Sequence, residues 1–134
     1  MSDGQPLRTA EQERAAFALQ LVQSVSGEAR REFKPLAQSA PADIQANGLA
    51  QTLAFWKAKN KPHHQKLYGG VSQWVGRQMG LGERADVLEW ITRQASSVEY
   101  RRATAHALAV LLWIKRFAEA EIRDQGSRPK ETQP

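Results

Sequence analysis

The chain has 134 residues, 41% hydrophobic and 25% charged, which fits one globular domain and excludes wholesale disorder. It contains no Cys, so disulfides, thiolate metal sites and a cysteine nucleophile are excluded, and a reducing, cytoplasmic setting is expected. Nineteen Lys and Arg against fourteen Asp and Glu leave a formal charge of +5, while the longest apolar run, Ala107–Ile114, falls well short of the roughly 20 residues that cross a bilayer.

Residues 1–8 are polar and predict a flexible N-terminus without a signal peptide. Thr9-Ala10-Glu11-Gln12 reads as a capping box, in which the Thr9 hydroxyl and the Gln12 amide satisfy each other's free backbone donors. Phe17, Leu21 and Val25 then recur at helical spacing up to Ser26-Gly27. A weaker second helix is expected over Glu28–Ser39, kinked or interrupted by Pro35. Pro41 suits the first position of a third helix running to about Lys59. Ile44, Gly48, Leu49, Thr52, Leu53, Phe55 and Trp56 cover one half of that helix. Ala46, Asn47, Ala50, Gln51 and Ala54 make the other half small or polar, so burial on most sides is expected. Pro62 opens a fourth helix to about Met79, tolerating Gly69, Gly70 and Gly76 at about 1 kcal/mol each relative to Ala. Gly80–Gly82 is a break, and a fifth helix follows to Ala95. The string Ser-Ser-Val-Glu ending at Glu99 repeats the capping pattern and starts the longest helix, reaching about Asp124, before a flexible polar tail over 125–134. No segment alternates with period two. The expected fold is an all-α, single-domain helical bundle of about five to six helices over residues 9–124.

Charge is unevenly spread. From Ile44 to Gly82 there is no Asp or Glu, yet Lys57, Lys59, Lys61, Lys66 and Arg77 lie there, and the basic and acidic residues elsewhere cancel. A window of one sign with no internal counterions attracts polyanions. On the fourth helix, Leu67, Val71, Trp74 and Val75 share the apolar face. Lys66, Gln73 and Arg77 share the opposite one, with Lys66 and Arg77 about 16 Å apart at ~1.5 Å per residue. Lys57, Lys59 and Lys61 arrive from the preceding helix end and loop. The dipole of that helix end also favours Lys57 and Lys59 without any ligand. On the last helix Arg101, Arg102, Lys115, Arg116 and Arg123 form a second stripe, with Leu112 in its middle and Trp113 at its border. Phe55, Trp56 and Trp74 read as core aromatics, and Tyr68 as partly exposed.

Motifs for catalysis are weak. Gly80-Leu81-Gly82-Glu83-Arg84-Ala85 matches the letters of a dinucleotide fingerprint, but a helix rather than a strand feeds it, so it reads as a helix–helix connection. His63 and His64 are adjacent and point about 100° apart on a helix, with no Cys or carboxylate to complete a metal set, so they read as a solvated helix start. No serine lies in an elbow motif. Neither a metal nor a cofactor is expected, and the chain reads as non-enzymatic.

Two segments are similar to a known family. Pro41-x-x-Ile44-x-x-Asn47-Gly48-Leu49-x-x-Thr52-Leu53-Ala54-Phe55-x-x-x-Lys59 resembles a signature of the small subunit of type III-B CRISPR effector complexes, the Cmr complexes. The stretch from Tyr100-Arg101-Arg102-Ala103-Thr104 through Leu111-x-Trp113-x-Lys115-Arg116-Phe117-Ala118-Glu119-Ala120 resembles that family's C-terminal signature, with His106 where an acidic residue is expected. The resemblance implies an all-α, non-catalytic subunit of an RNA-guided, RNA-targeting antiviral assembly, whose copies stack beside the backbone subunits and contact guide and target RNA. Lys59, Arg101, Arg102, Lys115 and Arg116 carry over as RNA-binding candidates, joined by Lys57, Lys61, Lys66 and Arg77 from the charge pattern. Asn47 and Gly48 read as structural: Asn47 for a cap or interhelix hydrogen bond, Gly48 for close helix packing. The alternatives are a purely structural assembly subunit, with its basic faces on acidic proteins, and a free-standing helical nucleic-acid-binding protein.

Overall fold

The computed structural model describes residues 7–82 and 84–123; most of the expected flexible N-terminus (1–8) and all of the expected tail (125–134) lie outside them. The described residues form six helices and no strand: α1 (Ala10–Ser24), α2 (Gly27–Asn47), α3 (Leu49–Lys59), α4 (Pro62–Gln78), α5 (Val87–Arg93) and α6 (Ser97–Glu121). Both capping boxes form. Thr9 Oγ1 accepts the Gln12 N–H at 3.0 Å and Gln12 Oε1 accepts the Thr9 N–H at 2.8 Å. Ser96 and Glu99 repeat the exchange at 3.1 and 2.8 Å. Asp86 caps α5 through the Glu89 N–H at 3.0 Å, and that helix is shorter than expected at both ends.

The expected division at Ser39–Pro41 is corrected. α2 runs unbroken through Pro35 and Pro41 and ends at Gly48. Phe33, Ala37, Ala40 and Ile44 recur at helical spacing across both prolines and are all buried. Pro35 takes the donor from the carbonyl of exposed Arg31, which water can reach, whereas Pro41 takes it from the carbonyl of buried Ala37. Burying four side chains outweighs a penalty of about 3 kcal/mol per proline. The chain turns instead at Gly48, whose φ of 90° and ψ of 159° suit glycine alone. Gly48 therefore joins two helices and does not lie on the face of one. Phe55 is a second correction. α3 buries Leu49, Thr52, Leu53 and Trp56 on one face, and Phe55 falls outside it at 54% exposure.

Paired contacts fix the helix directions. Lys34 Nζ reaches the Ile122 carbonyl at 3.1 Å and Gln38 Nε2 reaches Glu119 at 3.1 Å, while at the other end Tyr100 meets Ala50, so α2 runs antiparallel to α6. Phe17 packs on Trp74 at 5.1 Å and Lys66 reaches Ser24 at 3.2 Å, so α4 runs antiparallel to α1. Arg30 ties three ends together. Its guanidinium donates to the Val22 and Val25 carbonyls at 3.0 and 2.9 Å and to the Glu121 carbonyl at 3.0 Å, capping α1 and α6 at once. The core centres on Trp56, Phe33, Ile44, Leu49, Leu53, Leu67, Leu111 and Ile114. None of the described helices is long and apolar enough to cross a membrane.

Candidate nucleic-acid interface

α4 is placed by its ends. Asn60, at φ 56°, closes α3 in the left-handed conformation; Lys61 then takes the position before α4 without a side-chain cap, and Pro62 begins the helix. That turn brings Lys59 and Lys61 to the start of α4, while Lys66 and Arg77 project from the same helix. Concave surface runs along this side of α4, between it and the α1–α2 turn. Lys59 and Lys61 line its first part, Lys66 its middle and Arg77 its far end, with Pro62, Ser24 and Lys66 shared between successive parts. Four of the five cations of the acid-free window thus share one furrow. Lys57, exposed on the last turn of α3, does not line it.

The window is acid-free in sequence but not in space. Glu28 and Glu32 of α2 line the Lys59–Lys61 end of the furrow. Glu28 lies 3.5 Å from Arg31, and the Glu32 carboxylate acts on His63 against the effect of burial and Lys61. Among the described residues, the middle and far end have no acidic lining residue. Lys66 donates to Ser24 Oγ at 3.2 Å, and the Arg77 guanidinium lies 5.4 and 5.3 Å from the Phe17 and Trp74 ring centres. Lys59 Nζ lies 5.7 Å from the ring centre of exposed Phe55.

The expectation of a solvated histidine pair is corrected by half. His63 is half-buried, but His64 is buried, packed against His63 at 4.3 Å and edge-on to Phe55 at 6.4 Å. Burial pulls both imidazoles below the usual histidine range, with the neighbouring lysines adding to it. No group of three metal-ligating residues occurs among the described residues. Trp56 and Trp74 are core residues, as expected, and Tyr68 is half-buried. Asn47 ends α2 with its side chain exposed beside Asp43, Gln51, Thr52 and Phe55.

No lining residue of the furrow comes from α6, so the second stripe is a separate surface. Arg101, Arg102 and Arg116 are exposed and Lys115 half-buried, and none has an ion-pair or hydrogen-bond partner among the described residues. Leu112 stands among them at 55% exposure, and Trp113 stacks on Phe117 at 5.4 Å. Sequence reasoning missed Arg14. It projects from α1 toward Arg102 and His106, and its buried Nε has no partner. Burial, Arg102 and Arg14, in that order, hold His106 below the usual histidine range, so this position supplies no charge to balance the two arginines at neutral pH. Glu11 and Glu13, just before Arg14 in sequence, conceal this cluster from a charge count.

The family model for a CRISPR-associated protein, Cas_Cmr5, matches residues 10–121. The "CRISPR system Cmr subunit Cmr5" of Thermus thermophilus is 34% identical over 119 residues, 88% of this chain and 100% of that protein. The crystal structure of a CRISPR-associated Cmr5 family protein from the same organism is similar, with a TM-score of 0.71 and 32% identity over 87% of this chain and 100% of that one. Gly48, Tyr100 and the helices that carry the two resembling segments all lie within the matched region. The chain belongs to the Cmr5 family of CRISPR-associated proteins, the Cmr small-subunit family its sequence resembles.

Proposed function

We propose that this subunit is a non-catalytic RNA-contacting element of a type III-B, RNA-guided, RNA-targeting Cmr complex, which stacks beside backbone subunits and further copies of itself. The observation that carries this reading is the furrow along α4, where Lys59, Lys61, Lys66 and Arg77 line adjoining concavities that share residues from one to the next. Lysines and arginines neutralise phosphates without reading bases, which suits a subunit whose assembly takes its sequence specificity from guide pairing. The α6 surface has the opposite character: Leu112 and the Trp113–Phe117 pair between arginines favour protein contact, with neighbouring copies or the backbone subunit.

The test is salt-dependent binding of target RNA by the assembled complex. Four phosphates met by four furrow cations predict a contribution of roughly −2.8 to the slope of log K against log salt, at ~0.7 per single-stranded phosphate. Lys61→Glu with Lys66→Glu weakens binding across sequences and flattens the slope, whereas Lys57→Glu has the smaller effect. Unchanged binding by the double variant, together with no RNA crosslink from Lys59–Arg77, would favour the purely structural assembly role.

A further inference from the structure

At the start of α4 the furrow holds an open cavity of about 360 Å³, lined by Glu28, Glu32, Lys59, Lys61, His63 and His64 among others. α4 is 17 residues long and no side chain caps its N-terminus. Pro62 has no N–H, so the His63 and His64 amides form the open, positive end of the helix. A second observation is independent of the helix end. His64 lines this cavity, is only 7% exposed, and its Nδ1 has no hydrogen-bond partner. With both imidazoles held below their usual range by burial, they act at neutral pH as hydrogen-bonding groups rather than as cations.

The lining is mixed, which narrows the ligand. Lys59, Lys61 and the two amides suit a phosphate. A bare phosphate has no use for two carboxylates, which repel it. Glu28 is occupied by Arg31 at 3.5 Å, but Glu32 has no ion-pair or hydrogen-bond partner among the described residues. A carboxylate is an acceptor only, so the ligand must bring it a donor, and a hydroxyl group is one that carries no charge. In RNA a 2′-hydroxyl stands next to each phosphate, and DNA lacks it. We infer that the cavity takes one ribonucleotide of a single-stranded RNA, with its phosphate on the His63 and His64 amides between Lys59 and Lys61 and its 2′-hydroxyl donating to Glu32. This rests on the RNA-binding reading above and adds a preference for RNA over DNA that the furrow cations alone do not produce.

Fluorescence anisotropy with the full-length chain and three labelled 12-nucleotide strands of one sequence tests it: RNA, DNA and 2′-O-methyl RNA, which keeps an acceptor but has no donor. RNA is expected to bind about tenfold tighter than the other two, the worth of one hydrogen bond to a charged group. Glu32→Ala brings the three affinities together, although removing a negative charge strengthens all of them. Lys66→Glu, by contrast, weakens all three and preserves their ratio. Equal, salt-dependent affinity of the wild type for RNA and DNA, or a ratio unchanged in Glu32→Ala, overturns the ribonucleotide site and leaves the furrow intact. Binding of none of the strands overturns both.

Discussion

Tyr100 Oη accepts the backbone N–H of Ala50 at 2.9 Å, joining the first turn of α6 to the first turn of α3. The cap residue of α3 is Gly48, which has no side chain to offer that amide, so a phenol from another helix takes the role. The same oxygen stands 3.3 Å from where a Cβ on Gly48 would lie. The two segments that resemble the family signatures therefore meet at one contact. Tyr100→Phe leaves the Ala50 amide without an acceptor and is expected to cost about 1–2 kcal/mol in urea denaturation. Gly48→Ala forces a Cβ onto a backbone at φ 90° and costs about 1–3 kcal/mol. The double variant is expected to lose less than the sum, because Tyr100→Phe removes the atom that the new methyl meets; strict additivity would show that the two sites are not coupled.

Helix existence is legible from sequence wherever side chains within one turn decide it. Thr9 with Gln12, and Ser96 with Glu99, carry their own caps. The prolines mislead because their cost is local and its compensation is not. Phe33, Ala37, Ala40 and Ile44 stabilise α2 by packing on other helices, and a residue-by-residue reading cannot weigh that burial against Pro35 and Pro41. The site divides in the same way. Lys66 and Arg77 are readable because they share one helix. The approach of Glu28 and Glu32 to Lys61, and of Arg14 to Arg102, joins residues far apart in sequence and appears only in the folded chain. Arg30 and Lys34 look like surface charges in sequence, yet they cap helix ends.

Gly69 and Gly76 lie in the same helix and are expected to respond in opposite ways to alanine. At Gly69 a Cβ meets nothing within 4 Å, so Gly69→Ala gains helix propensity, up to about 1 kcal/mol. At Gly76 the carbonyl oxygen of Gly82 would lie 2.5 Å from the new Cβ, and the loop is held there by the Leu81 N–H on the Gly76 carbonyl at 2.7 Å. Backbone cannot rotate away as a side chain does, so Gly76→Ala is expected to cost about 1–3 kcal/mol. Paired thermal melts check both signs, and a stabilised Gly76→Ala would show that the loop over α4 is free to move.

All three histidines are held below their ordinary value of 6.5, in each case chiefly by burial. Above pH 6.5 both folded and unfolded chains carry neutral imidazoles, and stability is indifferent to them. As pH falls through 6.5 the unfolded chain takes up protons that the folded chain refuses, so stability is lost until the lower folded values are passed. The urea midpoint is therefore expected to fall between about pH 7.5 and about pH 5.5, before the carboxylates titrate. His106→Gln removes the share of one imidazole, held down first by burial and then by Arg102 of α6 and Arg14 of α1, and flattens the profile. An identical drop in wild type and variant would mean that His106 titrates alike in both states.

Leu112 separates assembly from folding. It is 55% exposed, with Arg101, Arg102 and Arg116 on the same side of α6, whereas Ile114, two residues on, is fully buried. An exposed leucine contributes little to the isolated chain, so Leu112→Glu is expected to leave the melting temperature nearly unchanged, within about 0.5 kcal/mol of stability. Its effect belongs to the contact that covers it. A glutamate there would be desolvated among apolar neighbours, so the variant is expected to drop out of the complex when the other Cmr subunits are co-purified. Ile114→Glu supplies the contrast, since it places a charge inside the bundle and unfolds the chain before assembly is at issue. If Leu112→Glu melts like wild type and co-purifies in full amount, the outer face of α6 is solvent in the assembly, and the arginines beside it are left to RNA or to water.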